Sequence, residues 1–139
     1  MKILVIDAQG GGLGRQIVTR IKEAHPEYSV TAVGTNTEAT NAMRKAGADI
    51  AATGENAVIV ACRTAQVIVG PFGIATADAM MGEISPAMAN AVSSSAAYRI
   101  LIPMNLCDTY VAGVMPGSAA ILEDAMQHLR QITGGEKVQ

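Results

Sequence analysis

Residues 2–34 read KILVIDAQGGGLGRQIVTRIKEAHPEYSVTAVG. The run Lys2 to Asp7 is almost wholly apolar, as expected of a strand buried on both faces. Glycines follow at Gly10, Gly11, Gly12 and Gly14. Leu13, Ile17, Val18 and Ile21 then recur at helical spacing, with Arg15, Gln16, Arg20 and Lys22 between them. His25-Pro26 closes that helix, because proline cannot continue it. Ser29 to Gly34 is the second strand. Strand, glycine-rich turn, helix and strand in this order make a βαβ unit.

The same alternation continues along the chain. Thr35 to Glu38 starts a second helix, with Thr35 and Glu38 at capping-box spacing and Gly47 as its C-terminal stop. Asp49 to Ala52 is a short strand, and Thr53-Gly54-Glu55-Asn56 opens a helix to about Arg63. Gln66 to Val69 is a buried strand ended by Gly70-Pro71-Phe72-Gly73. Helices are expected over 75–82 and 86–96, the second with Ser85 as cap and Pro86 at its first position. Arg99 to Pro103 and Thr109 to Val114 read as further strands, and Ser118 caps a helix through Gln131. The expected fold is α/β: a Rossmann-like three-layer sandwich with a mostly parallel sheet of five to six strands and helices on both faces. One domain spans 1–133, with a frayed tail at 134–139.

The chain has 139 residues, half of them hydrophobic and 16% charged, which excludes a disordered tail. With 24 Ala and 14 Gly, its core must be built from small residues in close contact. A net charge of −2 and only four aromatics, Tyr28, Phe72, Tyr98 and Tyr110, argue against nucleic acid as a partner. The least charged stretch, Thr64 to Ala77, is too short to span a membrane and contains Gly70, Pro71 and Gly73. MKILVID reads as a strand and not as a signal peptide, so a cytoplasmic location is expected. Cys62 and Cys107 show no paired spacing and read as reduced, buried thiols.

In open parallel sheets, ligands bind beyond the carboxyl ends of the strands. The polar and glycine-rich clusters fall at those ends: Asp7 to Gly14, Thr35 to Glu38, Thr53 to Asn56, Gly70 to Gly73, and Asn105 with Asp108. The loop Gly10, Gly11, Gly12, Leu13 and Gly14 is the expected anion cradle. Glycine admits close backbone approach, and the helix N-terminus supplies free N–H groups. It fits neither GxGxxG, since Arg15 stands where the last glycine would fall, nor the lysine-bearing P-loop. The loop looks like the short-chain dehydrogenase TGxxxGxG, with Ala8, Gly12 and Gly14 at its glycine positions. No carboxylate follows the second strand before Glu38, however, and Tyr98 is followed by Ile102, not by Lys. A nucleotide or an NAD(P)-like dinucleotide is the expected class of ligand.

Asp7, at the end of the first strand, has three readings. It accepts loop amides, holds a nucleotide's Mg²⁺, or contacts a ligand hydroxyl or amine. Thr35 and Asn36 are candidates for a ribose or base edge, against simple helix capping. Thr53, Gly54 and Asn56 join them, with Glu55 as a candidate general base or a first-turn acid suiting the helix dipole. Gly70, Pro71, Phe72 and Gly73 form a rigid turn whose Phe72 either stacks on a ring or fills the core. Asn105 is a candidate amide reader or a turn residue. Glu83 reads as solvated between two helices. His25 and His128 stand in no nucleophile–base pair and at no metal spacing, so no metal site is expected. The Ala- and Met-rich stretch 75–97, with Met80, Met81 and Met88, is a candidate homodimer surface.

The segments IDAQGGGLG (6–14), GTNTEAT (34–40), AGADIAATGENAV (46–58), IVGPFGIATADAMMGEISPAMA (68–89) and ILIPMN (100–105) together resemble a small bacterial family, domain-of-unknown-function family 3842. The resemblance covers nearly the whole chain and departs at Ala8, where glycine is usual. It implies a stand-alone Rossmann-like domain and carries no activity or residue role. Three functions follow from the residues: a sensor or carrier of a polar metabolite, a small enzyme using Asp7, Glu55 and Asn105, or an interaction subunit.

Overall fold

The computed structural model describes residues 1–104, 106, 108–114 and 117–134. Five strands, β1 (Lys2–Asp7), β2 (Ser29–Gly34), β3 (Ile50–Thr53), β4 (Val67–Pro71) and β5 (Tyr98–Ile102), form one sheet in the order β3-β2-β1-β4-β5. Every neighbouring pair is parallel, with Val5 between Ala32 and Val69 in register. The helices are α1 (Gly12–Ala24), α2 (Thr37–Lys45), α3 (Glu55–Cys62), α4 (Pro86–Ser94) and α5 (Ser118–Thr133). The α/β class, the parallel sheet and the helices on both faces are as expected from sequence.

Successive side chains of a strand point to opposite faces, and β1 divides accordingly. Ile3 and Val5 join Ile17, Val18 and Ile21 of α1, Met43 of α2, and Leu122 and Leu129 of α5. Leu4 and Ile6 join Val58 and Cys62 of α3, Met88 and Val92 of α4, and Ile74, Met80 and Ile84. Burying each such aliphatic side chain contributes roughly 1.5–3 kcal/mol before the entropy cost. Small residues let these layers approach: a Cβ on Gly70 would lie 2.5 Å from the Ile6 carbonyl oxygen, and one on Gly34 2.5 Å from Thr40 N.

Four local expectations are corrected. The helix expected over 75–82 is a single 3-10 turn, Phe72–Ala75, followed by turns to residue 84. Asp78, Met80, Met81 and Gly82 all have positive φ there, which no helix accommodates. The sixth strand over 109–114 is not formed, since those residues hold no ladder position. Helix α2 is capped by Asn36, not Thr35: Asn36 Oδ1 accepts from Ala39 N at 2.9 Å. Helix α5 takes Gly117 as its N-cap, with Ser118 its first helical residue. The tail 135–139 lies outside the described residues.

Candidate functional site

In the order β3-β2-β1-β4-β5 the direction of strand succession reverses between the neighbours β1 and β4, the place in such sheets where ligands bind beyond the carboxyl ends of the strands. Asp7 ends β1 at 5% exposure. Its Oδ1 accepts from Ala8 N at 2.8 Å and its Oδ2 from Gly14 N at 2.7 Å. The carboxylate thus caps the third residue of α1 from outside the helix, where Gly11 has no side chain to do so. Burial pushes the Asp7 carboxyl above its ordinary range. The Gly14 and Ala8 amides pull it back, and the nearby negative charge of Glu83 adds to the rise.

The glycines of this loop differ in what they do. Gly11 has φ +73°, and a Cβ there would lie 2.7 Å from Ala39 Cα. A Cβ on Gly14 would meet Met43 Sδ at 2.6 Å and Asp7 Cβ at 2.8 Å. Both are therefore required by packing. A Cβ on Gly10 or Gly12 would meet nothing within 4 Å among the described residues, and neither has positive φ. Beside them, the Gly12 and Leu13 amides open α1 without an acceptor among the described residues.

Glu83, expected from sequence to be solvated, is instead held by three donors. Its Oε1 accepts from Gln9 N at 2.9 Å, Thr35 Oγ1 at 2.7 Å and Asn36 Nδ2 at 3.0 Å. It thereby joins the loop after β4 to those after β1 and β2. Burial would raise its carboxyl, but the three donors from Gln9, Thr35 and Asn36 together hold it below its ordinary range. No local signal in the sequence marks it, because its partners lie 47 to 74 positions away.

The other candidates divide. Thr35 and Asn36 belong to this cluster, and Asn36 Nδ2 also donates to Gln9 O at 2.9 Å. Thr53 and Gly54 lie one strand further out. Thr53 Oγ1 is 2.7 Å from Thr40 Oγ1, and Gly54 N donates to Gly34 O. Glu55 is exposed and tied elsewhere: its Oε2 accepts from Ser85 Oγ at 2.5 Å, linking the starts of α3 and α4. Asn56 is exposed on the first turn of α3. Pro71 ends β4, and Gly73 packs against Ala79 and Met80. Phe72 lines a cavity of about 390 Å³ with Leu101, Pro103, Val114 and Ile121, on the α5 side. Asn105 and Cys107 lie outside the described residues. Burial raises the Cys62 thiol to about 11, leaving it an inert core group. His25 stacks on Tyr28, and His128 is 2.7 Å from Tyr98 Oη, both away from the cluster. A second cavity, of about 360 Å³, runs along the α3 side of the sheet, between Leu4, Thr31, Val33, Ala52 and Val60. It is mainly apolar and holds none of the cluster residues. Among the described residues no group of three or more His, Cys, Asp or Glu could hold a metal, and no helix is long and apolar enough to cross a membrane.

The parallel sheet and its loop cluster define a Rossmann-like α/β protein. The chain belongs to the family described as Domain of unknown function (DUF3842), which matches residues 2–134. No curated protein matches it. Among solved structures it is similar to a dodecameric FMN-dependent UbiX-like decarboxylase from Escherichia coli O157:H7. That likeness covers 100% of this chain and 99% of the other, at 17% identity and a TM-score of 0.53, and it speaks for the fold.

Proposed function

We propose that the protein binds a nucleotide or similar phosphorylated metabolite on the loop Gly10 to Gly14, as a sensor or carrier. The observation that carries this is the pair Gly10 and Gly12, whose missing side chains no neighbour among the described residues requires. The amides of Gly12 and of Leu13 beside it have no acceptor among the described residues at the start of α1, a combination suited to a phosphate oxygen. Asp7 is compatible with an anion there. Both its oxygens are turned to amides of the loop. The FMN named for the structural neighbour is a phosphorylated nucleotide and makes a suitable first probe. The same reading takes the protein as bacterial and cytoplasmic, and as a homodimer through residues 75–97, where Met81 is 95% exposed.

Titration of the wild-type protein with FMN and AMP, followed by amide shifts in NMR, tests the reading. We expect Gly12 and Leu13 amides to move, and Gly12→Leu to weaken binding at least tenfold while the melting temperature holds. Unchanged binding in Gly12→Leu, or the absence of any shift at these amides, would refute the cradle.

A further inference from the structure

We propose that Glu83 is the residue that reads the ligand's hydroxyl groups, so that the preferred ligand is a phosphate ester carrying a vicinal diol, such as a ribose phosphate. This rests on the cradle reading above and adds a second contact to it.

The sequence places no carboxylate directly after β2, where Val33-Gly34-Thr35-Asn36 stands. The fold supplies one there from another element. Glu83 comes from the loop after β4, yet its Oε1 lies against Thr35 Oγ1, Asn36 Nδ2 and Gln9 N. Three donors from two loops fill the acceptor sites of that oxygen and fix the carboxylate in place. Its other oxygen, Oε2, has no donor among the described residues. A carboxylate oxygen prepared in this way accepts from a hydroxyl through a charge-assisted hydrogen bond and repels a second anion. The two parts of the proposed site are therefore opposite in preference. The Gly12 and Leu13 amides take the anion, and Glu83 takes the O–H donors.

The backbone that delivers Glu83 is held in an uncommon shape. Asp78 (φ 64°), Met80 (φ 55°) and Met81 (φ 58°) are left-handed without being glycine. Such residues persist only where surrounding structure holds them. Here the loop is closed by Asp78 N donating to Ile84 O and Ile84 N donating to Ala79 O, with Met80 and Ile84 in the core. A plain helix through this segment would satisfy the backbone with less strain. The arrangement seen positions Glu83 over the ends of β1 and β2.

The test uses D-ribose 5-phosphate, 2-deoxyribose 5-phosphate and inorganic phosphate, titrated into the full chain and followed by NMR. All three should shift the Gly12 and Leu13 amides. Ribose 5-phosphate alone should also shift the Gln9 and Thr35 amides, and it should bind about tenfold more tightly than the deoxy sugar. Glu83→Gln should bring the two sugars within about threefold of each other, and inorganic phosphate should bind at least as tightly as to wild type because a repelling charge is gone. The wild-type ratio requires no variant, so equal affinity for the two sugars would overturn the proposal even if Glu83→Gln folds poorly. Equal affinity for the two sugars, or a ratio that survives in folded Glu83→Gln, would overturn the role of Glu83 and leave the cradle standing. Silence of the Gly12 and Leu13 amides with every probe would overturn both.

Discussion

A methyl group added at Gly14 would press on Met43 and on Asp7, whereas one added at Gly12 would meet open space. The two positions therefore make opposite predictions for stability. Gly14→Ala forces apart α1, α2 and the end of β1 and should cost about 1–3 kcal/mol, as overpacking does. Gly12→Ala sits in the first turn of a helix and should be neutral or stabilise by about 0.4–1 kcal/mol, because alanine restricts the unfolded chain. Urea denaturation of both variants measures this. A destabilised Gly12→Ala would show that the chain itself packs against that position and would remove the reason to read it as a ligand's space. Glycine at 10–14 is visible in the sequence as a cluster, but which glycines serve packing is not. That depends on Ala39 and Met43, which lie on α2 and meet the loop only in the folded chain.

At the scale of elements, strands and most helices were legible because their cues are local. Lys2–Asp7 is nearly all apolar, Pro86 follows a Ser85 cap, and Pro26 follows α1. The segment 76–84 was not legible. Its Ala- and Met-rich composition favours helix, yet Ala79, Met80 and Ile84 are buried around Gly73 and impose an irregular loop. Glu83 at its end makes the loop's attachment sensitive to pH, and the sign follows from its lowered carboxyl. The unfolded chain binds a proton more readily at Glu83 than the folded one. Its contribution is present above the ordinary glutamate value of 4.5 and is lost as pH falls through the lower folded value. Asp7 has the opposite sign: its raised carboxyl favours the fold at low pH, and that contribution is lost as pH rises from 3.8 through the folded value. Glu83→Gln should therefore be less stable than wild type near pH 6, with the difference closing as pH falls below 4.5. Thermal melts of both proteins across this range measure it. A constant difference across the range would mean that the ionised carboxylate is not what holds the loop.

For the whole molecule, the alternation of strands and helices and the placement of polar clusters at one end of the sheet could be read from the chain. The assembly could not, because burial and exposure within the Met-rich stretch depend on the irregular loop. Met80 and Met88 are 4% and 3% exposed, so a charge at either would test folding and not association. Met81 is the informative position. It is 95% exposed, and its φ of 58° is unfavourable for a side chain of its size. An exposed apolar residue in a strained conformation gains nothing from this chain's own core, and contact with a second copy would give it a partner. Aspartate tolerates left-handed backbone better than methionine, so Met81→Asp should leave the melting temperature of the protomer unchanged or raise it slightly. If residues 75–97 join two copies, the wild-type protein should sediment as a dimer at micromolar concentration and Met81→Asp as a monomer. Met88→Asp should instead lose its cooperative melt, since it buries an unpaired charge. Wild type and Met81→Asp sedimenting alike would remove Met81 from any interface.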